Sequence, residues 1–241
     1  MNLQLLSDLH LESDPLFRAV PAPGADLLVL AGDVGSYQKR RDGSVMPEPD
    51  WGLQRFSPLP QYAGWPVPVL YVPGNHEYDA LDLDEAHLEL RRTCDRLGIQ
   101  WLERETAVID GVRFIGTTLW SDYDALAGVG ATKGNGPAAK AGEASAPTET
   151  ERLRQRERAF RAANFYLVKM AGQRAGALFD AASMRELGLA CQAWLREALA
   201  RPFDGRTVVV THFAPTLHSA DPRYGLSPGT AGFCNALDDL L

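Results

Sequence analysis

Val69-Leu70-Tyr71-Val72-Pro73-Gly74-Asn75-His76-Glu77 is the stretch that decides how this chain is read. Its first four residues are β-branched, aliphatic or aromatic and suit a buried strand. Pro73 and Gly74 stop the pairing and turn the chain sharply. An amide, an imidazole and a carboxylate then follow in succession. Open α/β sheets place ligands beyond the C-terminal ends of their strands. The tip therefore reads either as a binding edge or as a surface turn that happens to carry Asn and His.

The same design recurs three times. Leu3 to Leu6 reads as a strand followed by Ser7-Asp8-Leu9-His10, and Leu27 to Ala31 leads into Gly32-Asp33. Thr207 to Thr211 ends at His212. A parallel or mixed sheet would bring Asp8, His10, Asp33, Asn75, His76 and His212 to one edge. Hard oxygen donors mixed with imidazoles suit Mn²⁺, Fe or Zn²⁺ better than Ca²⁺ or a thiolate site. Asp33, central in this order, could bridge two cations roughly 3.5–4 Å apart, as in hydrolytic two-metal sites.

Composition narrows the function classes. The 241 residues are 45% hydrophobic and 23% charged, enough for one sizeable core. A net charge of −7 argues against nucleic acid and anionic membrane as partners, since both call for a basic surface. It leaves room for a small phosphorylated substrate, because bound metal supplies positive charge locally. Cys94, Cys191 and Cys234 are far apart and fit reduced thiols. Without a basic n-region and a long apolar h-region at the start, the expected location is cytoplasmic.

Between the strand tips, residues 35 to 66 read as a long loop rich in Pro, Gly and aromatics. Leu83, Ala86, Leu90, Cys94 and Leu97 recur at helical spacing before the stop signal Gly98. Short strands are expected near Gln100–Leu102, Ala107–Ile109 and Val112–Gly116, with Asp110-Gly111 as a hairpin turn. A flexible insertion is expected over about 125–148, where large apolar residues are scarce. A helical insertion follows over about 149–200. Its first helix places Leu153, Phe160, Ala163, Leu167 and Met170 on one side. Arg152, Arg154, Arg158 and Arg161 on the other read as a solvated face in preference to a cationic lid. A last helix is expected from Ala231. Tyr37, Arg223 and Tyr224 are candidate substrate contacts.

The order Asp8-x-His10, Gly32-Asp33, Gly74-Asn75-His76-Glu77 and Thr211-His212 resembles the calcineurin-like metallophosphoesterase family. The resemblance spans residues 1–241 and implies an α/β fold: a four-layer αββα sandwich of two mixed β-sheets. It implies two divalent metal ions, with Asp8 and His10 on the first, Asp33 bridging, and Asn75 and His212 on the second. His76 would be catalytic, protonating the leaving oxygen or stabilising charge on the phosphoryl group. His76 and Asn75 would also contact substrate. The reaction implied is hydrolysis of a phosphomonoester or phosphodiester by a water held between the metals. Gly116-Thr117-Thr118-Leu119-Trp120 also resembles a segment of bacterial members.

One departure qualifies the resemblance. The family pattern closes with Gly-His-x-His on a late strand, and this sequence has none. His218, in a loop, and the acidic pair Asp238 and Asp239 are poor substitutes. The expectation is a chain truncated before the C-terminal strands, with about three protein ligands left for each metal. A non-catalytic descendant serving as a binding scaffold is the alternative function.

Overall fold

A computed structural model of the chain describes residues 1–40, 42–127, 147–223 and 225–240. Most of the insertion expected at about 125–148 lies outside the described residues, as does Tyr224. The apolar runs form two sheets. In the first, β1 (Leu3–Leu6), β2 (Leu27–Ala31), β3 (Val69–Val72) and β4 (Gln100–Trp101) lie in that order and pair in parallel. In the second, β5 (Glu105–Ile109) pairs antiparallel with β6 (Val112–Thr117), and β6 pairs parallel with β9 (Arg206–Thr211). Asp110 and Gly111 connect β5 to β6 with φ of 48° and 75°, the positive pair that a two-residue hairpin requires. A small hairpin, β7 (Gln173–Arg174) with β8 (Ala177–Leu178), stands apart.

Side-chain alternation stacks the layers. Leu27, Val29 and Ala31 of β2, with Leu70 and Val72 of β3, meet Ala107, Phe114 and Val210 of the second sheet. Leu28, Leu30, Val69 and Tyr71 point the other way, into the cluster that holds α1 (Leu83–Leu97). Both faces are covered, which is why β2 and β3 are apolar at every position rather than alternating. On the far side of the second sheet, Ile115 shares a cluster with Met184, Cys191 and Leu195 of α3 (Ala181–Ala200). The result is the expected α/β sandwich of two sheets between helices. Its mixed pairing lies in the smaller sheet.

Local signals set the helix limits. Asp82 caps α1 by accepting from Asp84 N and Glu85 N, and Gly98 closes it at φ 68°. Thr148 and Glu151 form a capping box at the start of α2 (Glu149–Met170). The first two turns of α2 are exposed on nearly every side, so Leu153, expected to pack, is 44% exposed. Arg152, Arg154, Arg158 and Arg161 are exposed, as a solvated face requires.

The helix expected from Ala231 is not formed. A 3₁₀ turn at Thr230–Gly232 is followed by an isolated bridge from Cys234 to Ala214 and a turn over residues 238–240. The competing interaction is the loop after β9, which pulls this segment alongside itself. Ala214 N donates to Phe233 O, Asn235 N to Ala214 O and Leu237 N to Pro215 O. The buried Asn235 side chain donates to Leu119 O and accepts from Asp122 N and Gln192 Nε2. Cys94, Cys191 and Cys234 are free and buried. Among the described residues, no helix is long and apolar enough to cross a membrane.

Leu90 is fully buried under the first sheet, whereas Leu88 on the same helix is 55% exposed. Leu90→Ala should destabilise by about 2–5 kcal/mol in urea unfolding, and Leu88→Ala should stay within about 0.5 kcal/mol.

Candidate metal centre

Because β1, β2 and β3 run parallel, their polar tips emerge on one edge, and β9 brings His212 to the same place. The tips are held in costly backbone conformations. Asp8, His10 and Asp33 have φ of 54°, 46° and 54°, a region that non-glycine residues avoid unless the surroundings enforce it. The surroundings do so by continuing the ladder past the strands. Asp8 N donates to Gly32 O at 3.1 Å and His10 N to Asp33 O at 3.0 Å. Two glycines allow the tips to meet. A Cβ on Gly74 would lie 2.2 Å from Asp33 Oδ1, and one on Gly32 would lie 2.5 Å from His212 Nδ1.

Glu77 fixes the arrangement from beneath. This fully buried carboxylate accepts from Asp33 N at 3.1 Å, Val34 N at 2.7 Å and Gly74 N at 2.9 Å. It thereby ties the β2 turn to the β3 turn. Burial raises its pKa to about 7, Asp33 adding to the rise, while the backbone donors oppose it. Trp51 Nε1 donates to Glu77 O at 2.9 Å, anchoring the long loop of residues 35–66. From the other side, Thr118 Oγ1 donates to Pro73 O at 2.8 Å, and Thr118 N donates to the buried Glu103. The Gly116–Trp120 segment thus braces the turn that carries Asn75.

Asp33 is the centre. Its Oδ1 accepts from His76 N at 2.9 Å. Its Oδ2 lies 3.4 Å from His212 Nε2 and 3.9 Å from both His10 Nε2 and His76 Nε2. The ligand atoms fall into two groups that share it: Asp8, Asp33 and His212, and His10, Asp33 and His76. This grouping sets Asp8 beside His212, where the resemblance pairs Asp8 with His10. It also brings His76, which the resemblance keeps off the metals, within reach of the same space. Asn75 Oδ1 stands 3.2 Å from His212 Nε2.

Each imidazole has its Nδ1 committed to an acceptor that can only receive a proton. His10 Nδ1 donates to Glu12 at 3.1 Å, His212 Nδ1 to Ala31 O at 2.9 Å, and His76 Nδ1 to Asp79 at 2.5 Å. Nε2 is then the nitrogen turned towards Asp33 in all three, and that of His212 also meets Asn75 Oδ1. This is the outer-shell pattern of metal-binding histidines, and the donor set suits a hard or borderline dication. The residues therefore fit the pair of cations that the sequence implies.

Charge is concentrated here. Burial would lower the His212 pKa, but its hydrogen bond to Asp33 and the Asp33 charge outweigh this and raise it to about 9. His76 also reaches about 9 against burial, through Asp79 and Asp33. The Glu12 hydrogen bond raises His10. Burial pushes Asp33 up, but His212 and His76 hold it down at about 2. Asp79, like Glu77, is held above its usual range, because burial exceeds the pull of His76.

The other candidates lie elsewhere. Tyr37 is not directed at the cluster: its hydroxyl donates to Glu48 O at 2.8 Å and accepts from Trp51 N at 3.2 Å. Arg223 forks onto Asp221 at the surface. His218 is exposed beside Asp238 at 3.5 Å. Sequence reading missed Glu12, Asp79 and the stapling role of Glu77. A signal existed in their spacing: Asp8-x-His10-x-Glu12 puts the partner two residues on, and His76 to Asp79 spans a single turn of 3₁₀ helix.

Comparison with known proteins agrees with this geometry. The family model described as calcineurin-like phosphoesterase matches residues 1–238. An uncharacterized protein of Acanthamoeba polyphaga mimivirus is 30% identical over 137 residues, covering 50% of this chain. The matched region covers 44% of that viral protein, so the chain spans less than half of its length.

Two outcomes follow for the site. A metal must displace the proton of His212, so Mn²⁺ affinity measured by calorimetry should rise with pH from 6.5 towards 9. The slope should be about tenfold per pH unit for each proton displaced, and a pH-independent affinity would contradict this. Glu77→Gln, which turns one acceptor end into a donor facing backbone N–H groups, should lower stability by about 1–3 kcal/mol in thermal unfolding.

Proposed function

The chain belongs to the calcineurin-like phosphoesterase family, and on that premise we propose that it hydrolyses phosphoester bonds of a small phosphorylated molecule. Asp8, His10, Asp33, Asn75 and His212 would hold two divalent cations, with Asp33 shared between them. Bound there, the cations would lower the pKa of a water and neutralise charge on the phosphoryl oxygens. The observation that carries the reading is the meeting of three Nε2 atoms, from three separate chain segments, around one carboxylate oxygen of Asp33.

The remaining chemistry falls to His76. Its Nδ1–H is fixed by Asp79, itself buried and hydrogen-bonded by Ser36 Oγ at 3.3 Å. The pair locks the ring and favours the imidazolium, so Nε2 carries a proton at neutral pH. As the oxygen of water bonds to phosphorus, the bond from phosphorus to the leaving oxygen breaks. That oxygen takes the Nε2 proton, and the proton lost by the attacking water restores the balance through solvent. Asn75 supplies an oxygen donor without adding negative charge, and its amide hydrogens can meet the phosphoryl group.

The test uses Mn²⁺-loaded protein with p-nitrophenyl and phenyl phosphodiesters. His76→Asn should lower kcat by about 10²–10⁴-fold. The loss should be greater for the phenyl ester, whose more basic leaving oxygen depends more on a proton. Asp79→Asn should lie between the variant and wild type. Equal rates for His76→Asn and wild type would remove His76 from the mechanism, and no turnover by wild type would favour the binding scaffold.

A further inference from the structure

A cavity of about 180 Å³ adjoins the cluster, and Asn75 and His76 are among the residues that line it. Trp120 and Phe213, in mutual ring contact at 5.6 Å, form one wall. Ala163 and Leu167 of α2 also line it. Among the described residues, its lining contains no lysine, arginine or carboxylate. Besides Asn75 and His76, its polar side chains are Tyr123, whose hydroxyl is taken by the Met184 sulfur at 2.7 Å, and Tyr166, which is largely exposed.

Resting on the hydrolase reading, we propose that this cavity receives the leaving group of the substrate, and that this group is an uncharged apolar one built on a single aromatic ring. The placement follows from the chemistry of the two ends. The phosphoryl group belongs on the Asp33 side, and His76 Nε2 must face the leaving oxygen. The substituent on that oxygen then continues past His76, into the cavity. A sugar or a second phosphate there would lose its water and find few partners, whereas a ring replaces water on apolar walls. Size sets the limit: an engineered apolar cavity of about 150 Å³ takes up benzene. Ala163 matters because a larger side chain at that point of α2 would occupy the space itself.

Binding of non-hydrolysable phosphonates to the Mn²⁺-loaded chain tests this without turnover. Phenylphosphonate should bind about tenfold or more tightly than methylphosphonate. Ala163→Leu should reduce that ratio to within about twofold. Leu167→Ala, which enlarges the cavity, should shift the preference towards 1-naphthylphosphonate. Circular dichroism melts identify a variant that has failed to fold, and the wild-type ratio stands independently of both variants. Equal binding of phenyl and methyl phosphonates, or a phenyl preference untouched in both folded variants, would overturn the proposal. If the ring preference holds but phenyl phosphate and its diester are not hydrolysed, the hydrolase reading fails, the leaving-group role falls with it, and a ring-binding cavity is what stands. Hydrolysis without ring preference sinks the pocket and leaves the hydrolase reading intact.

Discussion

The structure depends on one buried carboxylate. Asp33 is 3% exposed, and a charge so placed is costly unless its surroundings compensate it. The compensation comes from three chain segments: the backbone of His76 on one oxygen, and the imidazoles of His10, His76 and His212 around the other. This requirement explains the positive φ angles after β1 and β2 and the need for glycine at positions 32 and 74. The parallel strands bring the segments near each other, and Asp33 draws them into register.

Two other acids divide the supporting work. Glu77 lies beneath, where it holds backbone amides and takes no part in the face open to ligand. Asp79 lies beside, where it orients His76 and keeps it charged. Helix α2, which lines the neighbouring cavity, is of a different character. In α2 only Ala159 is fully buried, against six residues in α1 and six in α3. An element with so little burial belongs to the low-stability end of a fold, from which moving covers over binding sites are drawn.

Much of this was legible from residue order. Strand tips ending in Asp8, Asp33, Asn75 and His212 stand out because a continuous apolar run is interrupted by a polar residue at a turn. The α1 stripe and the Asp110-Gly111 hairpin were equally plain, since each is fixed by local periodicity or local φ. Less accessible was whatever depends on distant contacts. Ala231 to Leu240 has local helical character, yet loop pairing with Ala214 and the Asn235 hydrogen bonds override it. Tyr37 resembled a substrate contact because an aromatic in a long loop often is one; its hydroxyl instead secures that loop to Trp51. Glu12 and Asp79 were passed over because a carboxylate two or three residues from a histidine is common, and only geometry shows Nδ1 committed to it.

Asp33, as proposed above, would be shared between two cation positions. The most direct measurement of this is the number of Mn²⁺ ions retained per chain at saturating metal, by mass spectrometry of the folded protein, for wild type and Asp33→Asn. Two ions are expected for wild type and loss of both in the variant, since neither position keeps its charged centre. Two ions still held by a folded Asp33→Asn chain would contradict the sharing.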